Sequence, residues 1–539
     1  MRRMKGAAGL LTALLLAFQL SAQTFALANE DNGIKVVPVN FTHNGYSYEI
    51  EGVAKSTDGD YQIKSPARLA ARKLPSTYDP RSSGEITTVK DQASTGACWA
   101  FSALACAEQD LIKKGLENPS TEFSVPALVL SSNSGTATGK DDFSSGGNWL
   151  FAASALANGQ GLCYEDYEPF LESGTGNMIV SENKKSVSEY RLNYVMELSS
   201  TTQVKRKIME LGAVSASYFA GNGYMNHNNT AYYDPDASKN TIINHSVTVV
   251  GWDDNYSKDN FRYKPANNGA WLVKGSWGAD QDNDGFYWVS YDEAEFGQFC
   301  CYDFEESCDN TYHYSKMTGY VVNASNDGSV YGANVFTAKA DEKLDKAGFM
   351  YVGKTGSADY TLSVYTNVSD SDPIGVLETQ ISGSVSANGF YTVDFPEDIL
   401  LEEGEKYSIS VKFSGDSGRG YLLAESDRTS KAQSGQSYVS LNGKYWSDVG
   451  ADKTDSIGSL FIYAYTDDTA KPDKSSLESA LAKYGTLAGC EREANNARTV
   501  LADETASKND ISNAQKLLIS AAEEQDEALV ITTEAQWES

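Results

Sequence analysis

Histidine is scarce in this sequence, at four of 539 residues, so chemistry that needs an imidazole base has few candidates. Positive charge is also in short supply, because 44 Lys and Arg residues stand against 73 Asp and Glu residues. The resulting net charge of −29 argues against nucleic acid and anionic membranes as partners. Cysteine, at seven residues, is too sparse for a disulfide scaffold and indicates a fold held together by its apolar core.

Long apolar runs are missing after the N-terminus, and no later segment approaches the length of a transmembrane span. The N-terminus itself has a charged start at Met1–Lys5, an apolar run over 7–20 and small residues at Ala26–Ala28. This pattern predicts a signal peptide over residues 1–28 and therefore a secreted protein, extracellular or loosely associated with the cell wall. The remaining length predicts about three domains.

One cysteine stands in a context suited to nucleophilic chemistry. Cys98 follows Gly96 and Ala97, small residues that allow a sharp turn, and it opens a run with helical periodicity over 99–111. A thiol at a helix N-terminus feels the positive end of the helix dipole, which favours the thiolate. Gln92, six residues upstream, carries an amide N–H that can bind a tetrahedral oxyanion together with the backbone N–H of Cys98.

The string Gln92–Ser102 resembles the active-site segment of papain-like cysteine peptidases. The resemblance implies an α+β papain-like peptidase domain, with a helical left lobe and a β-rich right lobe, in which Cys98 attacks a peptide carbonyl. It implies no cofactor and no metal, and it makes proteins or peptides the substrates.

The same resemblance identifies His245 as the base. His245 lies in Ile243–Trp252, a β-branched run that predicts a strand, at the separation from Cys98 that the family shows. His43 precedes the peptidase segment, and His227 lies in an Asn-rich stretch typical of a surface loop. In the resting enzyme the pair is expected to be thiolate and imidazolium, with His245 later protonating the leaving amine.

The third motif departs from the family. Papain-like peptidases carry Asn-Ser-Trp-Gly, whose Asn orients the histidine, whereas this chain reads Gly275-Ser276-Trp277-Gly278. Gly275 has no side chain to hold the imidazole, so catalytic efficiency is in question. Trp277 matches the indole that shields this part of the family's site.

Substrate contacts are expected from Gly146 and Gly147, which resemble the paired glycines that align the substrate backbone as an extra strand. Trp149 falls where the family builds part of its main specificity pocket, and Ser217 is a candidate to face it from a strand.

The chain divides by composition. Residues 29–74 read as a short pro-segment cut near Lys73, and residues 75–311 as the peptidase domain. Short alternating stretches between Gly, Asp and Ser turns predict an antiparallel β-sandwich over 312–467, among them Tyr360–Tyr365, Gly389–Val393 and Tyr407–Val411. This sandwich resembles the lectin-like domain of some secreted clostridial relatives, which implies cell-surface or glycan contact. Residues 468–539 have apolar residues at helical spacing and predict a small acidic helical module.

Two features leave alternatives open. Cys300, Cys301 and Cys308 either form one local disulfide or line the end of the domain, and their spacing does not match a metal site. The acidic loop 280–285 has the first half of a calcium-binding loop, but Tyr291 stands at its twelfth position instead of Glu.

Together these observations predict a secreted papain-like cysteine endopeptidase. The alternative is a catalytically weak papain-like scaffold that acts in adhesion or carbohydrate binding through its β-sandwich. Gly275 favours the alternative, whereas the joint presence of Gln92, Cys98 and His245 favours the enzyme.

Overall fold

The computed structural model describes most of the chain between residues 74 and 522. The described residues are 38–43, 46–51, 74–132, 143, 146–159, 161–165, 189–221, 223–237, 243–279, 282–315, 319–324, 328–369, 372–416, 420–426, 432–451, 457–470, 473–503, 506 and 510–522. The predicted signal peptide 1–28, the predicted cleavage near Lys73 and residues 280–281 of the acidic loop lie outside them. Within the described part of the chain, no helix is long and apolar enough to span a membrane.

Seven α-helices are present among the described residues. They are α1 (Cys98–Lys114), α2 (Val125–Ser132), α3 (Trp149–Ala157), α4 (Thr201–Leu211), α5 (Ser475–Tyr484), α6 (Glu491–Ala502) and α7 (510–522). Helix α1 is buried along almost its whole length. It ends where Gly115 adopts φ +73° and its N–H bonds back to the carbonyls of Leu111 and Ile112, a left-handed helix cap that glycine accommodates without strain.

The strands up to residue 312 are β1 (Pro38–His43), β2 (Tyr46–Glu51), β3 (Thr77–Tyr78), β4 (Tyr190–Leu198), β5 (Val214–Tyr218), β6 (Ala231–Tyr232), β7 (His245–Asp253), β8 (Ala270–Lys274), β9 (Phe286–Ser290), β10 (Gly297–Glu306) and β11 (Asn310–Tyr312). Strands β1 and β2, inside the predicted pro-segment, form an antiparallel pair.

The later strands are β12 (Gly319–Ala324), β13 (Ser329–Thr337), β14 (Glu342–Tyr351), β15 (Ala358–Thr366), β16 (Val376–Val385), β17 (Gly389–Leu401), β18 (Lys406–Ser414), β19 (Gly420–Ser426), β20 (Ser437–Ser440), β21 (Ser447–Asp448), β22 (Ile457–Leu460) and β23 (Ile462–Asp468). They form the predicted β-rich region, and helices α5–α7 follow it in the chain.

One large sheet runs through both β-rich regions. Its twelve strands follow the order β11-β23-β14-β17-β4-β10-β5-β7-β8-β9-β6, with β3 paired to β7. The crossing from the first region to the second is the antiparallel pair β4–β17, where Met196, Val195 and Tyr194 lie opposite Gly389, Phe390 and Tyr391. The domain boundary predicted from composition is therefore bridged by main-chain hydrogen bonds.

Glycine is required at this crossing. A Cβ atom on Gly389 would lie 2.1 Å from the carbonyl oxygen of Val195, closer than any side chain can approach a backbone. The remaining strands form a six-stranded sheet, β16-β15-β18-β13-β20-β21, and a three-stranded sheet, β12-β19-β22.

The largest apolar core crosses the boundary between the two β-rich regions, whereas the others lie within one part of the chain. The largest cluster joins α1 and α3 to aromatic residues from β17 and β23, including Phe390, Tyr463 and Tyr465. A second cluster fills the sandwich, and a third lies beneath β5, β7 and β8. Helices α5, α6 and α7 have a separate core around Leu477 and Leu518.

Candidate active site

The predicted nucleophile lies at the start of α1. Cys98 is the first residue of the helix and is only 2% exposed. Burial raises the pKa of its thiol, while hydrogen bonds from the backbone N–H and the hydroxyl of Ser246 act in the opposite direction. Ser246 directly follows His245 at the start of β7. The structure thus brings the Cys98 sulfur against the strand that carries the predicted base.

Gln92 is buried in the loop that precedes this helix. Its side-chain oxygen accepts a hydrogen bond from the Ser276 hydroxyl at 2.6 Å, and its side-chain nitrogen donates to the carbonyl of Thr95 at 2.8 Å. Its backbone N–H donates to the carbonyl of Ser276 at 2.8 Å. These bonds fix the amide group relative to Cys98 and tie the loop to the segment that follows β8.

Ser276 was missed as a site residue by the sequence reasoning. It stands beside Gly275 in the third motif, and this position could have identified it as a site residue. Its hydroxyl is the contact that orients the Gln92 side chain.

The His245 ring lies between two aromatic side chains. Its ring stacks on Trp277 with centroids 5.5 Å apart and an interplanar angle of 23°. The Tyr218 ring lies 6.0 Å away at 60°, and Tyr218 is also the residue opposite His245 in the β5–β7 pair. Since His245 is 2% exposed, packing restrains the orientation of its ring.

The space beside Gly275 is already occupied. A Cβ atom there would lie 3.1 Å from the carbonyl oxygen of Gly285 and 3.4 Å from the Tyr287 ring. The Tyr287 hydroxyl lies 2.8 Å from that of Tyr218, within hydrogen-bond distance. The tyrosine pair therefore stands next to the position from which the family's Asn side chain projects.

We expect the Gly275→Asn variant to change kcat by less than about tenfold, although misorienting the base costs a serine protease about 10⁴. The physical reason is that Trp277 and Tyr218 already hold the ring, while the new side chain presses on Gly285 and Tyr287. Steady-state kinetics on a peptide substrate measure the effect.

The Gly275→Ala variant is the control, because it adds the same Cβ atom without an amide. A gain of more than about a hundredfold in Gly275→Asn alone would contradict this expectation and show that the wild-type ring is poorly oriented.

The paired glycines lie beside the nucleophile's helix. A Cβ atom on Gly147 would lie 2.4 Å from the indole nitrogen of Trp99, so this backbone rests directly on the residue after Cys98. Asn148 caps α3 by accepting hydrogen bonds from the N–H groups of Leu150 and Phe151. Trp149, the first residue of α3, is held by a bond from its indole N–H to Glu197 at 3.0 Å.

Ser217, the other suggested pocket residue, lies on β5 with its hydroxyl 3.1 Å from that of Ser246. This places it next to the residue that contacts the Cys98 sulfur.

A buried charged network lies behind the site. Glu108, on α1, accepts a hydrogen bond from Thr87 at 2.6 Å and lies 3.8 Å from the ammonium group of Lys274, which ends β8. Lys274 also donates to Thr87 at 2.7 Å, and Lys90 lies 3.5 Å from Glu108. A small cavity of about 20 Å³ lies between α1 and β7 beside this network. The network ties the segment before Gly275 to the nucleophile's helix.

No disulfide links the seven cysteines, all of which lie among the described residues. Of the two alternatives, a local disulfide among Cys300, Cys301 and Cys308 is therefore wrong. Cys300 and Cys301 are consecutive on β10, so they point to opposite faces and join two different core clusters.

The part of the acidic loop that the structure describes, Asp282–Gly285, is a short 3₁₀ turn leading into β9. No group of three or more His, Cys, Asp or Glu residues among the described residues is arranged to hold a metal ion.

Comparisons with known proteins confirm the predicted papain-like α+β fold, with a lectin-like β domain and terminal helices after it. Residues 74–325 match the family described as papain family cysteine protease, and residues 311–466 match the lectin-like domain. The chain therefore carries a papain-family cysteine protease domain followed by a lectin-like domain.

Among solved structures, the chain resembles the clostridial cysteine protease Cwp84 after propeptide cleavage. That match has 28% identity and a TM-score of 0.63, and it covers 73% of this chain and 99% of that one. A crystal structure of the cysteine protease and lectin-like domains of Cwp84, a surface-layer-associated protein of Clostridium difficile, matches at 25% identity and a TM-score of 0.63. It covers 84% of this chain and 97% of that one.

Mammalian cathepsins match the peptidase part. Bos taurus cathepsin S is 29% identical over 218 residues, or 40% of this chain and 60% of that protein. Mus musculus cathepsin K is 24% identical over 216 residues, or 40% of this chain and 59% of that protein. The chain thus spans about three fifths of the length of these two relatives.

Proposed function

We propose that this protein is a secreted cysteine endopeptidase in which Cys98 is the nucleophile and His245 the base. The observation that carries the proposal is the packing of α1, which begins with Cys98, against the start of β7, which begins with His245. The Ser102 hydroxyl of α1 donates to the Val247 carbonyl of β7 at 2.7 Å, and Ser246 lies beside the Cys98 sulfur. The N-terminal signal pattern and the resemblance to a surface-layer-associated protease support an extracellular location.

In the proposed resting enzyme the Cys98 proton already lies on His245, which gives a thiolate–imidazolium pair. The thiolate attacks the peptide carbonyl, and the oxyanion receives hydrogen bonds from the Cys98 N–H and from Gln92, whose amide Ser276 holds in place. His245 then protonates the leaving amine, and water releases the acid product from the acyl-enzyme. Gly146 and Gly147 bind the substrate backbone, with Trp149 and Trp277 lining the site.

Site-resolved alkylation of Cys98 as a function of pH tests this pair. Burial raises the pKa of the Cys98 thiol, so a thiolate near neutral pH needs a positive partner, which protonated His245 supplies. We expect rapid labelling of wild-type Cys98 at about pH 5. In His245→Ala we expect labelling only above the ordinary thiol pKa of about 8.5, because burial then acts without compensation.

His227→Ala is the matched control, because it removes a histidine outside the site and should leave the labelling profile unchanged. If wild-type Cys98 labels only above about pH 8.5, the thiol is not activated, and the adhesion scaffold becomes the better interpretation.

A glycan contact through residues 312–467 is the second proposed role, and it does not exclude peptidase activity. The supporting observation is an aromatic loop between β20 and β21, where Tyr445 is 72% exposed beside Trp446. Trp446 packs edge-on against Tyr331 at 6.4 Å. Exposed aromatic rings with a polar group offer the flat amphipathic surface that sugar rings pack on.

A further inference from the structure

A chain of hydrogen bonds connects the lectin-like domain to Trp149. The indole N–H of Trp149 donates to one carboxylate oxygen of Glu197 on β4, at 3.0 Å. The other oxygen accepts from the side-chain amide of Asn388, at 3.1 Å. Asn388 lies just before β17, on the lectin-like side of the shared sheet.

Asn388 is itself held on both sides. Its backbone carbonyl accepts the N–H of Glu197 at 3.0 Å, and its side-chain oxygen accepts the N–H of Gly353 at 2.9 Å. The next residue is Gly389, where the close approach to Val195 begins the β4–β17 pairing. The side-chain amide of Asn388 therefore donates to Glu197 and accepts from Gly353, and both bonds restrain its orientation.

The position of Trp149 affects the glycine pair that precedes it in the chain. It follows the Gly146–Asn148 segment, which rests on Trp99 next to the nucleophile. A shift of the indole would move the start of α3 and with it the glycine pair that is proposed to bind the substrate backbone.

We propose that Asn388 of the lectin-like domain is a positioning residue for the peptidase, which acts through Glu197 to fix Trp149 in the wall of the substrate site. The proposal rests on the proposed function of the Cys98 site. It means that the substrate-binding wall is completed by a domain that carries none of the catalytic residues.

Partial burial of the Glu197 carboxyl makes it sensitive to the loss of the hydrogen bond from Asn388. Burial raises the pKa of Glu197, and the hydrogen bonds from Asn388 and Trp149 oppose that rise. A partly buried carboxylate that loses one donor is left under-satisfied, so its remaining bond to Trp149 is not expected to keep its geometry.

The test measures kcat and KM for Asn388→Ala on a peptide substrate, in the full chain. We expect KM to rise about tenfold with kcat changed less than about twofold, because Trp149 is proposed to contact the substrate away from the reacting bond. Thr392→Val is the matched control. It removes another hydrogen bond across the same strand pair, to Asn193, without touching Glu197.

A double-variant cycle shows whether the effect passes through Trp149. Trp149→Phe removes the indole N–H, so Asn388→Ala should raise KM no further in that background. An equal rise in both backgrounds, or an equal rise in Thr392→Val, would overturn the proposal.

A spectroscopic measurement separates this proposal from the proposed function. In protein labelled with ¹⁵N-tryptophan, the Trp149 indole N–H signal is assigned as the one missing in Trp149→Phe. It should shift in Asn388→Ala and in Glu197→Gln, and stay in place in Thr392→Val. An unmoved signal would refute the positioning role even in an active enzyme, whereas a shifted signal in a protein without peptidase activity would refute only the proposed function.

Discussion

The Cys98→Ala variant is expected to lose peptide hydrolysis by on the order of 10⁴-fold or more, since it removes the proposed nucleophile that forms the acyl-enzyme. The fold should survive, because alanine keeps the small apolar volume at the first position of α1, and the sulfur's bonds to Ser246 are few among the helix's many contacts. Hydrolysis of a fluorogenic peptide measures the loss of activity, and the melting temperature shows whether the fold survives.

Cys106→Ala is the matched control. Cys106 is a buried thiol on the same helix, and burial raises its pKa well above the usual value, so it has no reason to react. Its loss should lower stability by about 1 kcal/mol and leave kcat unchanged. Retention of more than a few per cent of activity in Cys98→Ala would show that the nucleophile lies elsewhere.

The second large effect is expected from truncation. A chain that ends at residue 311 should fail to fold, because it loses β17, the sheet neighbour of β4, together with part of the largest apolar core. The lost core residues are Met350, Phe390, Leu423, Phe461, Tyr463 and Tyr465. Each large apolar side chain contributes about 1.5–3 kcal/mol when buried, so the set rivals the total stability of a typical domain, about 5–15 kcal/mol.

Circular dichroism and thermal unfolding of the truncated chain measure this effect. A chain that ends at residue 470 is the control, because it removes only α5–α7, which have a core of their own. We expect that control to unfold cooperatively near the wild-type temperature. A folded, cooperative 1–311 chain would mean that the shared sheet adds little to the stability of the peptidase.

Local features of the fold could be predicted from the sequence. The helix predicted over 99–111 is α1, Cys98–Lys114, and the strand predicted around His245 is β7. The alternating stretches starting at Tyr360 and Tyr407 are strands β15 and β18. These predictions succeeded because periodicity and turn residues act within a few positions along the chain.

Partners distant in sequence could not be predicted in this way. Alternation marked Gly389–Val393 as a strand, but it could not show that this strand pairs with β4 of the peptidase instead of joining the sandwich sheets. Glu197 and Asn388 are separated by 191 positions, and no local pattern links them. The roles of Cys98, His245 and Gln92 remain predictions that the proposed experiments address.

The continuous twelve-stranded sheet would affect which peptide bond of an anchored substrate the protein cleaves. Main-chain pairing between β4 and β17 fixes the orientation of these two strands, and with them the described parts of the two domains. A polymer anchored on the lectin-like domain would therefore present its peptide part to Cys98 at one distance and one angle. The distance between the anchoring point and a peptide bond would then decide which bond is cleaved.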